Sequence, residues 1–219
     1  MIEIKKVIAC ETVKEEIKAM ASPDLDLEFL EYGLHRVPHQ LQKKLQERIN
    51  ETPDKFDHIL LGYGLCSHGT LGLNSQDKKL VIPRVHDCIA LLLGSRERYN
   101  KEFFGEPGTI YLSRGWIEYG GDPLTQFEDY TRRVGKENAL WVMEQEYRNY
   151  KRVAYIKTPG LENHDYFVDY ARRVADFINL ELQILEGSTG LLQKLVSGNW
   201  DHDFLILEPG RMVIRENLF

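Results

Sequence analysis

Cysteine is scarce in this 219-residue chain: Cys10, Cys66 and Cys88 are the three present. So sparse and odd a set is not the disulfide framework of a small secreted domain. No CxxC pair occurs, which removes the most specific metal signature. Long apolar runs are also missing. No window holds eighteen consecutive apolar residues, so no transmembrane helix is expected. The first residues mix Glu3, Lys5 and Lys6 with a short apolar stretch and lack the h-region of a signal peptide. Positive charge is not in excess: 28 Lys and Arg against 34 Asp and Glu give a net charge of −6. That balance argues against a duplex-binding protein held by phosphate contacts. Solenoid repeats and low-complexity tracts are absent. These absences point to a cytoplasmic protein with no membrane and no nucleic-acid partner, whose cysteines are free thiols or metal ligands.

What is present is an ordinary globular composition, 42% hydrophobic and 28% charged. Area scaling gives roughly 10,000 Å² exposed when folded against roughly 37,000 Å² unfolded, enough to bury a core without staples. Short apolar strands alternate with amphipathic helices. Strands are expected at Lys6–Cys10, Leu25–Tyr32, Phe56–Leu61, Leu80–Pro83, Thr109–Leu112, Arg152–Lys157, Leu180–Leu185 and Phe204–Leu207. Helices are expected at Glu11–Met20, Pro38–Glu51, Tyr166–Ile178 and Thr189–Val196, with another from Cys88 towards Tyr99 capped by Asp87. Asp122–Tyr150 reads as helix broken near Gly135. This alternation predicts an α/β fold with mainly parallel sheets, as two Rossmann-like βαβαβ halves. A single continuous sheet is the alternative. The expected division is an N-terminal lobe over 1–100, a helical, aromatic-rich connecting segment over 101–150 and a second lobe over 151–219. In either arrangement ligands bind beyond the carboxyl ends of the strands.

The cysteines fall on that edge. Cys10 closes the first strand, and Cys66 and Cys88 follow the third and fourth by a few residues. His86 and His68 stand two residues from Cys88 and Cys66. Thiolate and imidazole donors suit zinc, with iron, cobalt and nickel as further candidates. The expected metal ligands are Cys10, Cys66, Cys88 and His86. Taken singly, each cysteine also fits as a small hydrophobe at a strand end. A third reading makes Cys88 a nucleophile, its thiolate favoured at a helix N-terminus and by His86 or Arg84. Facing thiols could equally act as acid and base, as in cofactor-independent racemases.

Gly62-Tyr63-Gly64-Leu65-Cys66-Ser67-His68-Gly69-Thr70-Leu71-Gly72 carries four glycines in eleven residues. It offers either an anion nest built on Gly62, Gly64, Ser67 and His68 or a turn using positive-φ glycines. Ser188 and Thr189 open a helix and could hold a phosphate or carboxylate, or simply cap it. Glu208, before Pro209-Gly210-Arg211, is expected at the same edge, and Arg84 with it. Trp116 and Tyr119 would supply a pocket wall or pack a hinge. His35, His39, His58, His164 and His202 read as surface or structural residues.

Four stretches are shared with a known family: Ile8-Ala9-Cys10-Glu11, Gly62-Tyr63-Gly64-Leu65-Cys66, Pro83-Arg84-Val85-His86-Asp87-Cys88 followed by Leu92-Leu93-Gly94-Ser95, and Gly115-Trp116-Ile117-Glu118. They resemble a domain-of-unknown-function family of anaerobic bacteria and methanogens, often encoded beside corrinoid-dependent methyltransferases. The three cysteines and His86 match its pattern; His68 falls outside the match. The resemblance implies a cytoplasmic role in corrinoid-linked one-carbon metabolism, with a corrinoid protein or methyltransferase as partner. The leading expectation is a metal-binding protein whose Cys/His site takes a small molecule in an inter-lobe cleft. Its rivals are a metal-free cysteine enzyme and an accessory module for a corrinoid, nucleotide or methyltransferase.

Overall fold

A computed structural model describes residues 3–218. In chain order the elements are β1 (Lys5–Cys10), α1 (Lys14–Met20), β2 (Asp26–Leu30), α2 (Pro38–Asn50), β3 (His58–Gly62), β4 (Lys79–Pro83), α3 (Cys88–Leu93), α4 (Arg96–Gly105), β5 (Thr109–Leu112), α5 (Arg114–Glu118), α6 (Pro123–Val134), α7 (Lys136–Tyr147), β6 (Arg152–Lys157), α8 (His164–Phe177), β7 (Glu181–Glu186), α9 (Gly190–Ser197), β8 (Phe204–Leu207) and α10 (Arg215–Leu218). Short 3₁₀ turns lie at Glu11–Val13 and Tyr32–Arg36. The fold is mixed α/β and Rossmann-like, with mostly parallel strands and alternating helices. Among the described residues, no helix is long and apolar enough to cross a membrane.

The chain forms two compact units, Met1–Arg96 with Ser188–Phe219, and Glu97–Gly187. This differs from the division into 1–100, 101–150 and 151–219. β8 does not close a second βαβαβ run. It pairs antiparallel with β4, Leu80 opposite Leu207 and Pro83 opposite Phe204. α9 packs on α1, β3 and β4, so residues 188–219 belong to the first unit. The 101–150 segment is no mere connector either, since its β5 pairs in register with β6. Periodicity identifies a strand but not its neighbour, which is set by long-range burial.

The first unit holds a sheet ordered β2-β1-β3-β4-β8, parallel except for β8. Ile59, Leu60 and Leu61 of β3 are fully buried, as a strand covered on both faces requires. α2 presents Leu41, Leu45 and Ile49 at i, i+4 and i+8, and all three pack into a core with Ile8, Cys10, Leu61, Tyr63 and Cys66. Going from β1 to β2 the chain steps one way along the sheet, and from β2 to β3 it crosses to the other side of β1. This reversal makes the carboxyl ends of β1 and β3 a topological switch point, where the connecting loops part into a crevice.

The second unit has a parallel sheet ordered β5-β6-β7, with Val153 and Tyr155 of β6 packed on Phe167, Ala171 and Val174 of α8. Arg152 and Asp122 are its buried charges; Arg152 links β6 to its neighbours. Its guanidinium donates to Thr109 Oγ1 at 2.8 Å and to Glu102 Oε2 at 2.7 Å, and also to Gln183.

Candidate functional site

Four carboxyl strand ends meet at the switch point of the first unit, and each carries chemistry. Cys10 ends β1, with Thr12 on the 3₁₀ turn that follows. Tyr32 and His35 follow β2 on the second 3₁₀ turn. Tyr63 and Cys66 follow β3; Asp87 and Cys88 follow β4. Backbone hydrogen bonds tie the β3 and β4 ends together, Leu65 N–H to Val85 O at 2.9 Å and Cys66 N–H to His86 O at 2.8 Å. Tyr32 N–H donates to the Glu11 carboxylate at 3.1 Å, tying the β2 and β1 ends likewise.

Gly62 and Gly64 work by close approach, and Gly72 alone of the four glycines has a positive φ, 78°. A Cβ on Gly64 would stand 2.5 Å from Val85 O and 2.9 Å from Asp87 N. One on Gly62 would stand 2.5 Å from Ala9 Cβ. The other left-handed residues of the stretch are not glycines: Cys66, Ser67 and His68 have φ of 44°, 54° and 74°. Three consecutive non-glycine residues in this region carry real strain, since L side chains crowd the backbone there. The turn is held by Gly69 N–H to Cys66 O at 3.0 Å and Leu71 N–H to His68 O at 3.1 Å. It leaves the Cys66 side chain buried in the core while Ser67 and His68 face solvent. Such strain persists only where the surrounding structure holds the turn in place.

All three cysteines are free. Cys10 and Cys66 are buried; Cys88 keeps part of its surface accessible. Burial pushes each thiol upward, and it is the largest cause for all three. Asp87 adds repulsion at Cys66 and Cys88. The three also repel one another as thiolates: Cys10 acts on Cys66, and both act on Cys88. Cys88 is therefore held protonated, against the activated nucleophile expected at a helix N-terminus. Asp87 accounts for this in part, because it spends its Oδ1 capping α3, accepting from Ile89 N–H at 2.9 Å and Ala90 N–H at 3.3 Å.

Two hydroxyls stand among the thiols. Tyr63 is 2% exposed and its hydroxyl has no hydrogen-bond partner. Burial raises it well above the usual phenol value, and Cys10, Cys66 and Cys88 follow in that order as charges that act on it. Thr12 is fully buried, and its hydroxyl faces the Cys10 and Cys88 sulfurs without well-formed hydrogen-bond geometry. A buried hydroxyl left unpaired costs about 1–3 kcal/mol. Tyr32 borders the group, its hydroxyl accepting from Arg36 Nη2 at 2.8 Å. Pattern reading missed Tyr63 and Thr12, because one stands inside a glycine-rich run and the other reads as the first turn of a helix.

Residues 29–196 match the family described as protein of unknown function (DUF1638). The chain belongs to that family. The matched span takes in Tyr63, Cys66 and Cys88, and Cys10 precedes it. No curated protein matches. The crystal structure of a small-chain dehydrogenase aligns with 84% of this chain and 97% of its own, at 10% identity and a TM-score of 0.23. So weak a likeness carries no argument.

The other expected site residues make these contacts. Glu208 lies at the opposite edge: β8 runs antiparallel, so its end meets the start of β4, where Lys79 Nζ is 3.4 Å from the Glu208 carboxylate. Arg84 binds the start of β8, its N–H donating to Asp203 O at 2.7 Å and its Nε to Phe204 O at 3.2 Å. Ser188 packs against Gly94, donates its N–H to Leu92 O at 2.8 Å and accepts from Gly190 N–H at 3.2 Å. Thr189 is buried beside it. His86 meets Cys66 through its carbonyl.

Among the described residues, the His, Cys, Asp and Glu side chains whose ligating atoms all come within 4.8 Å of one another are Asp201, His202 and Asp203. Lys194 already neutralises both carboxylates, at 2.6 and 2.8 Å. The three sulfurs, gathered at one edge, are thus not drawn into a closed set. Zinc–sulfur bonds of about 2.3 Å need sulfurs roughly 3.8 Å apart.

Proposed function

We propose that the protein binds one thiophilic metal ion at the switch point of its five-stranded sheet, with Cys10, Cys66 and Cys88 as thiolate ligands. Zinc suits this donor set best, ahead of iron, cobalt and nickel. The observation that carries the reading is the gathering of three thiols from three separate strand ends, two buried and one partly accessible, beside a buried Tyr63 hydroxyl that has no partner. A metal cation supplies the positive charge that burial and Asp87 deny to the thiolates. Three protein ligands leave a position open, which His86 or a substrate thiol would take. The corrinoid-linked one-carbon chemistry implied by the family resemblance is where such a site would serve, with a corrinoid protein or methyltransferase as partner.

A metal-free cysteine enzyme would need a thiol held low, and burial moves all three the other way. The test is metal analysis of protein purified anaerobically under reducing conditions. One equivalent of metal per chain is expected, lost in the variant carrying Cys10→Ser, Cys66→Ser and Cys88→Ser. Metal content well below one equivalent in wild type, or unchanged in the variant, would reject the reading.

A further inference from the structure

The Tyr63 ring packs in the core, but its hydroxyl, like that of Thr12, makes no hydrogen bond to a nitrogen or oxygen of the fold. Tyr63 stands one residue past Gly62, which pairs with Ala9, so it is the register neighbour of Cys10 on the parallel strand. Parallel neighbours point to one face of the sheet, and Tyr63, Cys10 and Cys66 accordingly share one packed core. Thr12 lies two residues past Cys10 on the turn that packs against α3, whose first residue is Cys88. Both hydroxyls are buried; that of Tyr63 has no partner, and that of Thr12 meets only the Cys10 and Cys88 sulfurs.

A neutral thiol is a weak hydrogen-bond acceptor; a metal-bound thiolate is a strong one. Resting on the metal reading above, we infer that Tyr63 and Thr12 are positioning residues that donate hydrogen bonds to the metal-bound thiolates, Tyr63 on the side of Cys10 and Cys66 and Thr12 on the side of Cys10 and Cys88. Their hydrogen bonds are completed only when the metal enters. They orient the sulfurs and withdraw charge from them, as outer partners of metal ligands do. The geometry gives the site a fixed hydrogen-bonding complement and makes sulfur donation weaker than in a bare three-thiolate site.

Cobalt(II) reads this directly, through its intense sulfur-to-cobalt charge-transfer absorption. Wild type, Tyr63→Phe and Thr12→Val are titrated with cobalt(II) under argon, with circular dichroism as the fold control. Both substitutions remove a buried oxygen while nearly keeping volume. Tyr63→Phe is expected to keep three-thiolate absorption, move the charge-transfer band to longer wavelength as the sulfurs become better donors, and weaken cobalt binding by about 10- to 100-fold. Thr12→Val is expected to shift the band the same way by less, and it carries the test alone should Tyr63→Phe not fold. A role confined to packing would leave the band where it is, and unmoved bands with wild-type affinity overturn the inference while leaving the metal reading intact. Absence of any thiolate band in wild type overturns both.

Discussion

Acidification should strip metal from this site three times as steeply, on a logarithmic scale, as from a single exposed cysteine. Burial holds Cys10, Cys66 and Cys88 above the ordinary thiol value, and Asp87 adds to this at Cys66 and Cys88. In the metal-free protein all three are therefore protonated at neutral pH. A metal ion entering as a three-thiolate complex displaces three protons. Each displaced proton contributes about a factor of ten in apparent affinity per pH unit, so three give about a thousandfold, or roughly 4 kcal/mol per unit. Affinity rises with pH, because the competing proton becomes scarcer. The slope holds at three until pH reaches the folded thiol values, whereas exposed cysteines begin to flatten near about pH 8.5. Competition of zinc against a chelator from about pH 6.5 to 8 measures the slope. Calorimetry in two buffers of different ionisation enthalpy counts the protons independently. A slope near one, or one proton released, would refute the reasoning, since it would mean that a single cysteine binds.

Further expectations follow from particular contacts. Gly64→Ala forces a Cβ into Val85 O, so urea unfolding should show a loss of about 1–3 kcal/mol, together with weaker metal binding as the β3 and β4 ends separate; unchanged stability would contradict the close approach. His68 is exposed with φ of 74°, so His68→Val should cost about 1–2 kcal/mol while His68→Gly costs little. Equal effects of the two would show that the left-handed turn stores no strain. In the second unit, Arg152→Ala leaves Glu102 without its buried partner and should destabilise by about 3–5 kcal/mol in thermal or urea unfolding. A loss below 1 kcal/mol would mean that water replaces the guanidinium.

Much of the fold is legible because local periodicity carries it. Leu41, Leu45 and Ile49 announce the buried face of α2, and the continuous apolar run at Ile59 to Leu61 announces a strand covered on both faces. Asp87 as a cap, and the cysteines at strand ends, follow from the same local reading. Strand partnership does not. Phe204–Leu207 looks the same in sequence whether it runs parallel or antiparallel, so Glu208 was expected at the thiol edge and stands at the other. The orphan hydroxyls of Tyr63 and Thr12 are equally illegible, because a hydroxyl is orphaned by what surrounds it in space. The left-handed turn escaped for a different reason. Cys66-Ser67-His68 contains no glycine, and the rule that assigns positive φ to glycine pointed to its neighbours instead.

The central claim is that Cys10, Cys66 and Cys88 converge on one metal ion. X-ray absorption at the zinc edge, on protein loaded with one equivalent under argon, tests it most directly. Three sulfur scatterers at about 2.3 Å are predicted, with one nitrogen, oxygen or sulfur ligand in the remaining position. A shell made only of nitrogen and oxygen, or a single sulfur, would contradict it.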